Sequence, residues 1–527
     1  MPRALQIQDG KARRFSETGR RSGGDMLSTW KSWTAGAALA IGVMAAGTLP
    51  GNAMAQDAKP TPEKAPAAEL PAFPADKSVK QTTVLAGKTV SYTATVGSLP
   101  VRDEKGKKIA EVVFTAYTLD GPRDPNRPVT FAFNGGPGAA SVYLNFALGP
   151  KRVQFGAEGD SPSAPTRLQD NPASWMDFTD LVFIDAVGTG FSRSLTTPEE
   201  TKKRFYGVKQ DIDYLSRIVF DWLVKNERLQ SPKYIVGESY GGFRGPRLTY
   251  TLQTDYGVGI NGLVLVSPLL SSAGRTAQEI SPLPAMWTLP SIAAAKLERE
   301  GKLTPAAIKD VEDYTRGEYM VDLMKGSDPA ALDRLTTKVS AMTGLDPTYI
   351  RRAGGRLETQ SFLREVFRQT GRLGSRYDSN VTSLDPFPFA PEQEINDPIL
   401  DSIIAPTTSA IVDFTTRTVG WKVEGRYDAL SGEVNQAWDR GRGPDTESVT
   451  DLRKSVSVDP KLKVLIVHGY NDLSCPFFAS RLVVDAMPAT ANGRVTLSNY
   501  PGGHMFYSRP DSGAAFRADV KKLYGAN

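Results

Sequence analysis

The alternation of apolar and polar positions predicts a sheet whose strands are separated by helices. Lys88–Val96 and Ile109–Tyr117 alternate between the two, with Asp103-Glu104-Lys105-Gly106 as the turn region, and predict an antiparallel pair. Short continuous apolar runs follow at Val129–Phe133, Asp180–Ile184, Tyr234–Val236 and Gly262–Val266. Between Asp211 and Asn226, Ile212, Leu215, Ile218, Val219 and Leu223 recur at spacings of three and four, the period of a helix with one buried face. Strands that are apolar throughout are covered on both faces. Repeated strand, loop and helix therefore predict an α/β protein with a mostly parallel central sheet and helices on both sides.

The pattern is interrupted between Ser271 and Asp451. Thr304-Pro305, Asp328-Pro329 and Asp346-Pro347 each pair an N-cap residue with proline at the first helical position. Ser361–Thr370 and Ile399–Val419 are further helical or partly helical segments. The strand pattern resumes at Lys463–Val467, ends with Arg494–Ser498, and is followed by a helix from about Ala514 to Tyr524. The expected division is a core of residues 78–270 and 451–527, with a mainly helical cap insertion, 271–450, placed over an active site. A purely structural insert is the alternative.

Ahead of the core, Trp33–Leu49 is uncharged and rich in Ala and Gly, preceded by Lys31 and followed by Ala53-Met54-Ala55. This is the form of a signal peptide with a small-x-small cleavage site. Residues 1–55 are expected to be an upstream extension plus a signal starting at Met26, and the mature chain to be exported, periplasmic or secreted. A short membrane anchor is the alternative reading, and Arg13-Arg14 and Arg20-Arg21 raise a twin-arginine route. Residues 56–77 hold five prolines and read as a linker. The net charge of +5 belongs to the first 55 residues, which carry seven Lys/Arg and three Asp/Glu; the remainder is balanced to within one charge. Nucleic-acid binding thus loses its compositional support. Cys475 is the only cysteine, so no intramolecular disulfide can form, and no Cys/His cluster suggests a zinc site.

The chemistry centres on Gly237-Glu238-Ser239-Tyr240-Gly241, directly after a predicted strand. Gly-x-Ser-x-Gly there reads as a nucleophile elbow, a strand-to-helix turn too tight for a Cβ two places either side of the serine. The α/β-hydrolase order is nucleophile, acid, histidine. Asp472 and His504 each follow a later predicted strand, and His468 is the only other histidine. His468 ends the strand that delivers Asp472 and is expected to pack or hydrogen-bond beneath the acid loop, leaving His504 as base. A serine hydroxyl is a weak nucleophile near neutral pH, so a base must take its proton while an acid orients the base. The developing oxyanion needs backbone donors, available at Tyr240 and in the Gly135-Gly136 loop.

Asn134-Gly135-Gly136-Pro137-Gly138, Gly237–Gly242, Asp472-Leu473-Ser474-Cys475 and Gly503-His504-Met505 together resemble the signatures of the serine carboxypeptidase family, with Gly188-Thr189-Gly190-Phe191-Ser192 as a fifth. They span residues 80 to 525, nearly the whole mature chain. The resemblance implies an α/β-hydrolase fold with a helical cap, peptide substrates and no cofactor. It implies carboxylate binding by Asn134, Gly135 and Glu238, and an oxyanion hole at Gly136 and Tyr240. Cys475 and Met505 would line the pocket for the leaving residue. Glu238 supporting the elbow, and Cys475 and Met505 serving as ordinary core, are the alternatives.

The chain departs from the family pattern in three places. Ala132-Phe133 stands for Trp-Leu, Ala139 for a cysteine, and Ala147 for a second carboxylate-binding glutamate. A thinned clamp implies weaker discrimination for free C-termini and a less acidic pH optimum than a two-glutamate site, because two acids sharing a site must hold a proton between them. The leading expectation is a serine-type carboxypeptidase acting through an acyl-enzyme. An esterase or acyltransferase using the same triad, and an inactive hydrolase fold serving as a binding module, are the rivals.

Overall fold

Nine strands line up in one sheet: β1 (Lys77–Leu85), β2 (Lys88–Arg102), β3 (Lys108–Leu119), β4 (Val129–Phe133), β5 (Asp180–Ile184), β6 (Lys233–Glu238), β7 (Gly262–Val266), β8 (Lys463–Gly469) and β9 (Val495–Tyr500). Their order across the sheet is β1-β2-β3-β5-β4-β6-β7-β8-β9, and a two-residue strand, Arg193–Ser194, adds to β3. The first three strands and β5 pair antiparallel. From β5 to β9 every pairing is parallel. The structure is a computed structural model and describes residues 70–122, 124–154, 162–163, 166–272, 281–389 and 397–526. The expected signal segment and most of the Pro-rich linker lie outside those residues.

The parallel strands are apolar throughout because each buries both faces. In β7, Leu263 and Leu265 face one core with Ile235, Val464 and Ile466. Val264 and Val266 face the other, with Val236, Leu465 and Val467. Helix Val208–Lys225 buries Ile212, Leu215, Ile218, Val219 and Leu223 against the first core. Helix Pro510–Tyr524 places Phe516 and Val520 in the second.

Strand β1 has no counterpart in the sequence expectations. It is an edge strand whose residues are mostly exposed or half-buried, so its composition carries no apolar alternation to read. Strand β2 runs to Arg102, further than the alternating run alone implies. The chain reverses where Asp103 Oδ1 accepts from the Lys105 and Lys107 amides. The last strand ends two residues later than expected, at Tyr500.

Among the described residues between Leu283 and Ala437 the chain is mainly helical, with one short hairpin formed by Arg372–Gly374 and Thr382–Leu384. The three cap-and-proline pairs start helices as expected. The side chains of Thr304, Asp328 and Asp346 accept from the amides of Ala307, Ala331 and Thr348, each ahead of proline at the first turn. This region belongs to the same compact unit as the sheet, Ala67–Asn527. Among the described residues no helix is long and apolar enough to cross a membrane.

Candidate active site

The elbow is set by backbone sterics. Between β6 and helix Tyr240–Asp255, Ser239 adopts φ 59° and ψ −119°, a conformation that costs a non-glycine residue about 1–3 kcal/mol. The surroundings hold it there: the Ser239 amide donates to the Val266 carbonyl at 2.9 Å, and its carbonyl accepts from Gly242 and Leu269 at 2.9 and 3.0 Å. A Cβ on Gly237 would meet the Gly241 carbonyl oxygen, and one on Gly241 the Phe133 carbonyl oxygen. Both glycines are therefore required by close approach.

Loops after β8 and β9 bring Asp472 and His504 together. His504 Nδ1 lies 2.7 Å from Asp472 Oδ2, and both side chains are buried. The other oxygen of Asp472 accepts from the amides of Ser474 and Cys475 at 2.8 and 2.9 Å, which fixes the carboxylate. Burial pulls the His504 imidazole down, but the Asp472 carboxylate, helped by Glu238, more than offsets this and leaves its pKa raised. The His504 backbone is held on both sides: its amide donates to the Tyr377 carbonyl, and its carbonyl accepts from Ser267 Oγ at 2.8 Å.

His504 and Ser239 line one open cavity of about 540 Å³, together with Gly135, Gly136, Glu238 and Tyr240. Cys475 and Met505 line it beside His504. Gly135 packs against the start of the elbow helix, where a Cβ would stand 2.5 Å from the Tyr240 nitrogen and 2.8 Å from the Ser239 Cβ. The Gly135–Gly136 loop and the Tyr240 amide are thus neighbours beside Ser239.

Asn134 lies behind the cavity wall. Its Nδ2 donates to Glu238 Oε2 at 2.5 Å, and its Oδ1 accepts from the Leu144 amide at 2.9 Å. Glu238 Oε1 accepts from the Tyr507 hydroxyl at 2.8 Å. Burial raises the Glu238 pKa, against the opposing pull of His504, Tyr507 and Asn134. Ala147 lies in helix Val142–Leu148 and brings no carboxyl group.

His468 sits elsewhere. It is fully buried, with Nε2 2.8 Å from Ser480 Oγ, and burial, then the proximity of His504, lowers its pKa to about 3. It stays neutral and does not line the cavity. Among the described residues no group of three or more His, Cys, Asp or Glu is placed to hold a metal ion.

Two residues that sequence reasoning missed complete this geometry. Tyr507 reaches Glu238 across 269 positions of sequence, a pairing that no local motif announces. Arg244, on the elbow helix, is buried with its Nε 2.6 Å from Asp211 Oδ2 and its NH1 2.6 Å from the Asn134 carbonyl oxygen. It ties the glycine loop to the elbow helix. A lone charged residue among glycines and aromatics, Tyr240-Gly241-Gly242-Phe243-Arg244-Gly245, was the available signal.

The sheet order and a serine on a strand-to-helix elbow define an α/β-hydrolase. Residues 88–310 match the family model described as serine carboxypeptidase. Serine carboxypeptidase-like 9 of Arabidopsis thaliana is 30% identical over 188 residues, 33% of this chain and 41% of that protein. Serine carboxypeptidase 1 of Hordeum vulgare is 29% identical over 138 residues, 25% and 26% of the two chains. The lysosomal protective protein of Mus musculus is 28% identical over 166 residues, 30% and 31%. The chain thus spans well under half the length of these relatives. The crystal structure of a prohormone-processing carboxypeptidase from Saccharomyces cerevisiae superimposes with a TM-score of 0.52 at 16% identity, over 82% of this chain and 91% of that one, a likeness of fold.

Proposed function

We propose that the protein is a serine-type carboxypeptidase that releases C-terminal residues from peptides through an acyl-enzyme on Ser239. The carrying observation is the 2.7 Å contact between Asp472 and His504 at the cavity that also holds Ser239 on its elbow. His504 takes the Ser239 proton as the hydroxyl attacks the scissile carbonyl, then gives it to the departing amine. Water enters and the same exchange, reversed, frees the acyl part. Asp472 keeps Nδ1 protonated, so that Nε2 is the basic nitrogen, and stabilises the imidazolium. The amides of Gly136 and Tyr240 receive the oxyanion. The family resemblance supports Asn134, Gly135 and Glu238 as the groups around the substrate's free end, with Cys475 and Met505 lining the pocket for the leaving residue.

The absence of a second glutamate at Ala147 favours a second reading, in which the acyl-enzyme is formed from esters or passed to other acceptors. A peptide-library digest read by mass spectrometry separates the two. Stepwise loss of C-terminal residues, abolished in Ser239→Ala, supports the carboxypeptidase. Ester turnover with no trimming of peptides would replace it with the second reading. Export to the periplasm or medium belongs to the same proposal and rests on the signal-like pattern ending at Ala55.

A further inference from the structure

Several polar residues of the cavity have no part in the chemistry above, and two of them are arginines, Arg376 and Arg440; Arg440 is engaged by Asn435, donating to its carbonyl at 3.4 Å and to its Oδ1 at 3.3 Å. Arg376 lines it on the histidine side. Its backbone is fixed there, the amide donating to Asp397 Oδ2 at 2.8 Å and the carbonyl accepting from the Leu473 amide, one residue from Asp472, at 3.0 Å. Its guanidinium lies 5.5 Å from the centre of the Tyr377 ring, and that ring meets the His504 imidazole edge-on at 5.2 Å. Among the described residues the guanidinium forms no ion pair. Tyr143 lines the same cavity, and its hydroxyl is buried with no hydrogen-bond partner among the described residues. An orphaned buried hydroxyl costs free energy unless something fills it.

Among the described residues the only carboxylic acid lining the cavity, Glu238, already accepts from Asn134 and Tyr507. A cation joined to His504 through the Tyr377 ring, and a spare donor, thus line the cavity in which His504 must protonate the leaving amine. In a free C-terminal residue the carboxylate is two bonds from that nitrogen, so it lies there too. We propose that Arg376, with the Tyr143 hydroxyl, binds the α-carboxylate of the leaving residue.

The inference rests on the carboxypeptidase reading and changes one of its consequences. Loss of a glutamate at Ala147 does not abolish recognition of free C-termini; it moves recognition from a proton-sharing carboxyl pair to an arginine. Guanidinium and carboxylate make charge-assisted hydrogen bonds without a proton shared between two acids. Preference for the free acid is then retained at neutral pH.

The test compares kcat/KM for an N-blocked dipeptide with kcat/KM for its C-terminal amide, at neutral pH. Wild type is expected to prefer the free acid. That preference should fall by about tenfold or more in Arg376→Ala and by a few fold in Tyr143→Phe, chiefly through KM, with Arg376→Lys keeping part of it. Should Arg376→Ala not accumulate as folded protein, Arg376→Gln and Tyr143→Phe carry the same comparison. An unchanged preference in variants that still react with a fluorophosphonate at Ser239 would overturn the proposal. So would a preference restored to an amidated substrate by a leaving glutamate, since Arg376 would then read a side chain. A wild-type protein that neither labels nor hydrolyses either substrate would instead be a failure of the carboxypeptidase reading itself.

Discussion

Asn134 Nδ2 and Glu238 Oε2 meet at 2.5 Å, so the residue before Ser239 is held by the residue that opens the Gly135–Gly136 loop. Glu238 is also one of the groups that raise the His504 pKa. With His504 as the proposed base, only its neutral form can accept the Ser239 proton, and activity is expected to fall as pH drops through its pKa. A raised pKa puts that acid limb at a higher pH than an ordinary histidine would give. Glu238→Gln removes a negative charge that favours the imidazolium, so the acid limb of kcat/KM should move to lower pH. A pH profile on an uncharged ester substrate checks this, and a limb that stays or moves upward would count against the coupling.

The Arg244–Asp211 pair concerns stability. Both side chains are almost fully buried, and replacing Arg244 with methionine leaves the Asp211 carboxylate, among the described residues, only the Tyr214 hydroxyl at 3.3 Å. Breaking one side of a buried pair costs about 3–5 kcal/mol, whereas replacing both partners with apolar groups costs much less. Arg244→Met should therefore be destabilised by that order in urea unfolding, and Arg244→Met/Asp211→Leu should recover a large part. A single variant that unfolds like wild type would contradict the assignment. Because Arg244 also holds the Asn134 carbonyl, its loss is expected to lower kcat in protein that remains folded.

Asp185 makes stability depend on pH. Burial raises its pKa to about 7, although the Ser141 amide at 2.7 Å and the Tyr427 hydroxyl at 3.4 Å pull the other way. The unfolded chain releases this proton near about pH 4, while the folded chain keeps it to about pH 7. Across that window the folded state binds more protons, so this carboxyl lowers stability as pH rises, and the loss is complete above about pH 7. Asp185→Asn removes the titration. Its melting temperature relative to wild type should therefore climb between acidic and neutral pH; a difference that stays flat or falls would refute the assignment.

Much of this was legible in the sequence, for physical reasons that differ by element. The parallel strands announce themselves because burial on both faces makes them continuously apolar, as at Val129–Phe133 and Gly262–Val266. The elbow is readable because its glycines are sterically required. The edge strand Lys77–Leu85 has an exposed face and no such signature. His468 and His504 were told apart by their loops, and their surroundings separate them further: one is buried against Ser480, the other against Asp472. Tyr143, Arg376 and Tyr507 were not legible. Each gains its significance from neighbours far away in the chain, as Tyr507 does from Glu238, and no local spacing records that proximity.

The most direct measurement is intact-mass and peptide mapping of the protein after exposure to a fluorophosphonate. A single adduct is expected on the peptide containing Ser239, absent in Ser239→Ala and formed about four orders of magnitude more slowly in Asp472→Asn, where the histidine is left in the wrong tautomer. Wild-type protein that stays unlabelled, or an adduct that persists in Ser239→Ala, would contradict a catalytic triad of Ser239, His504 and Asp472.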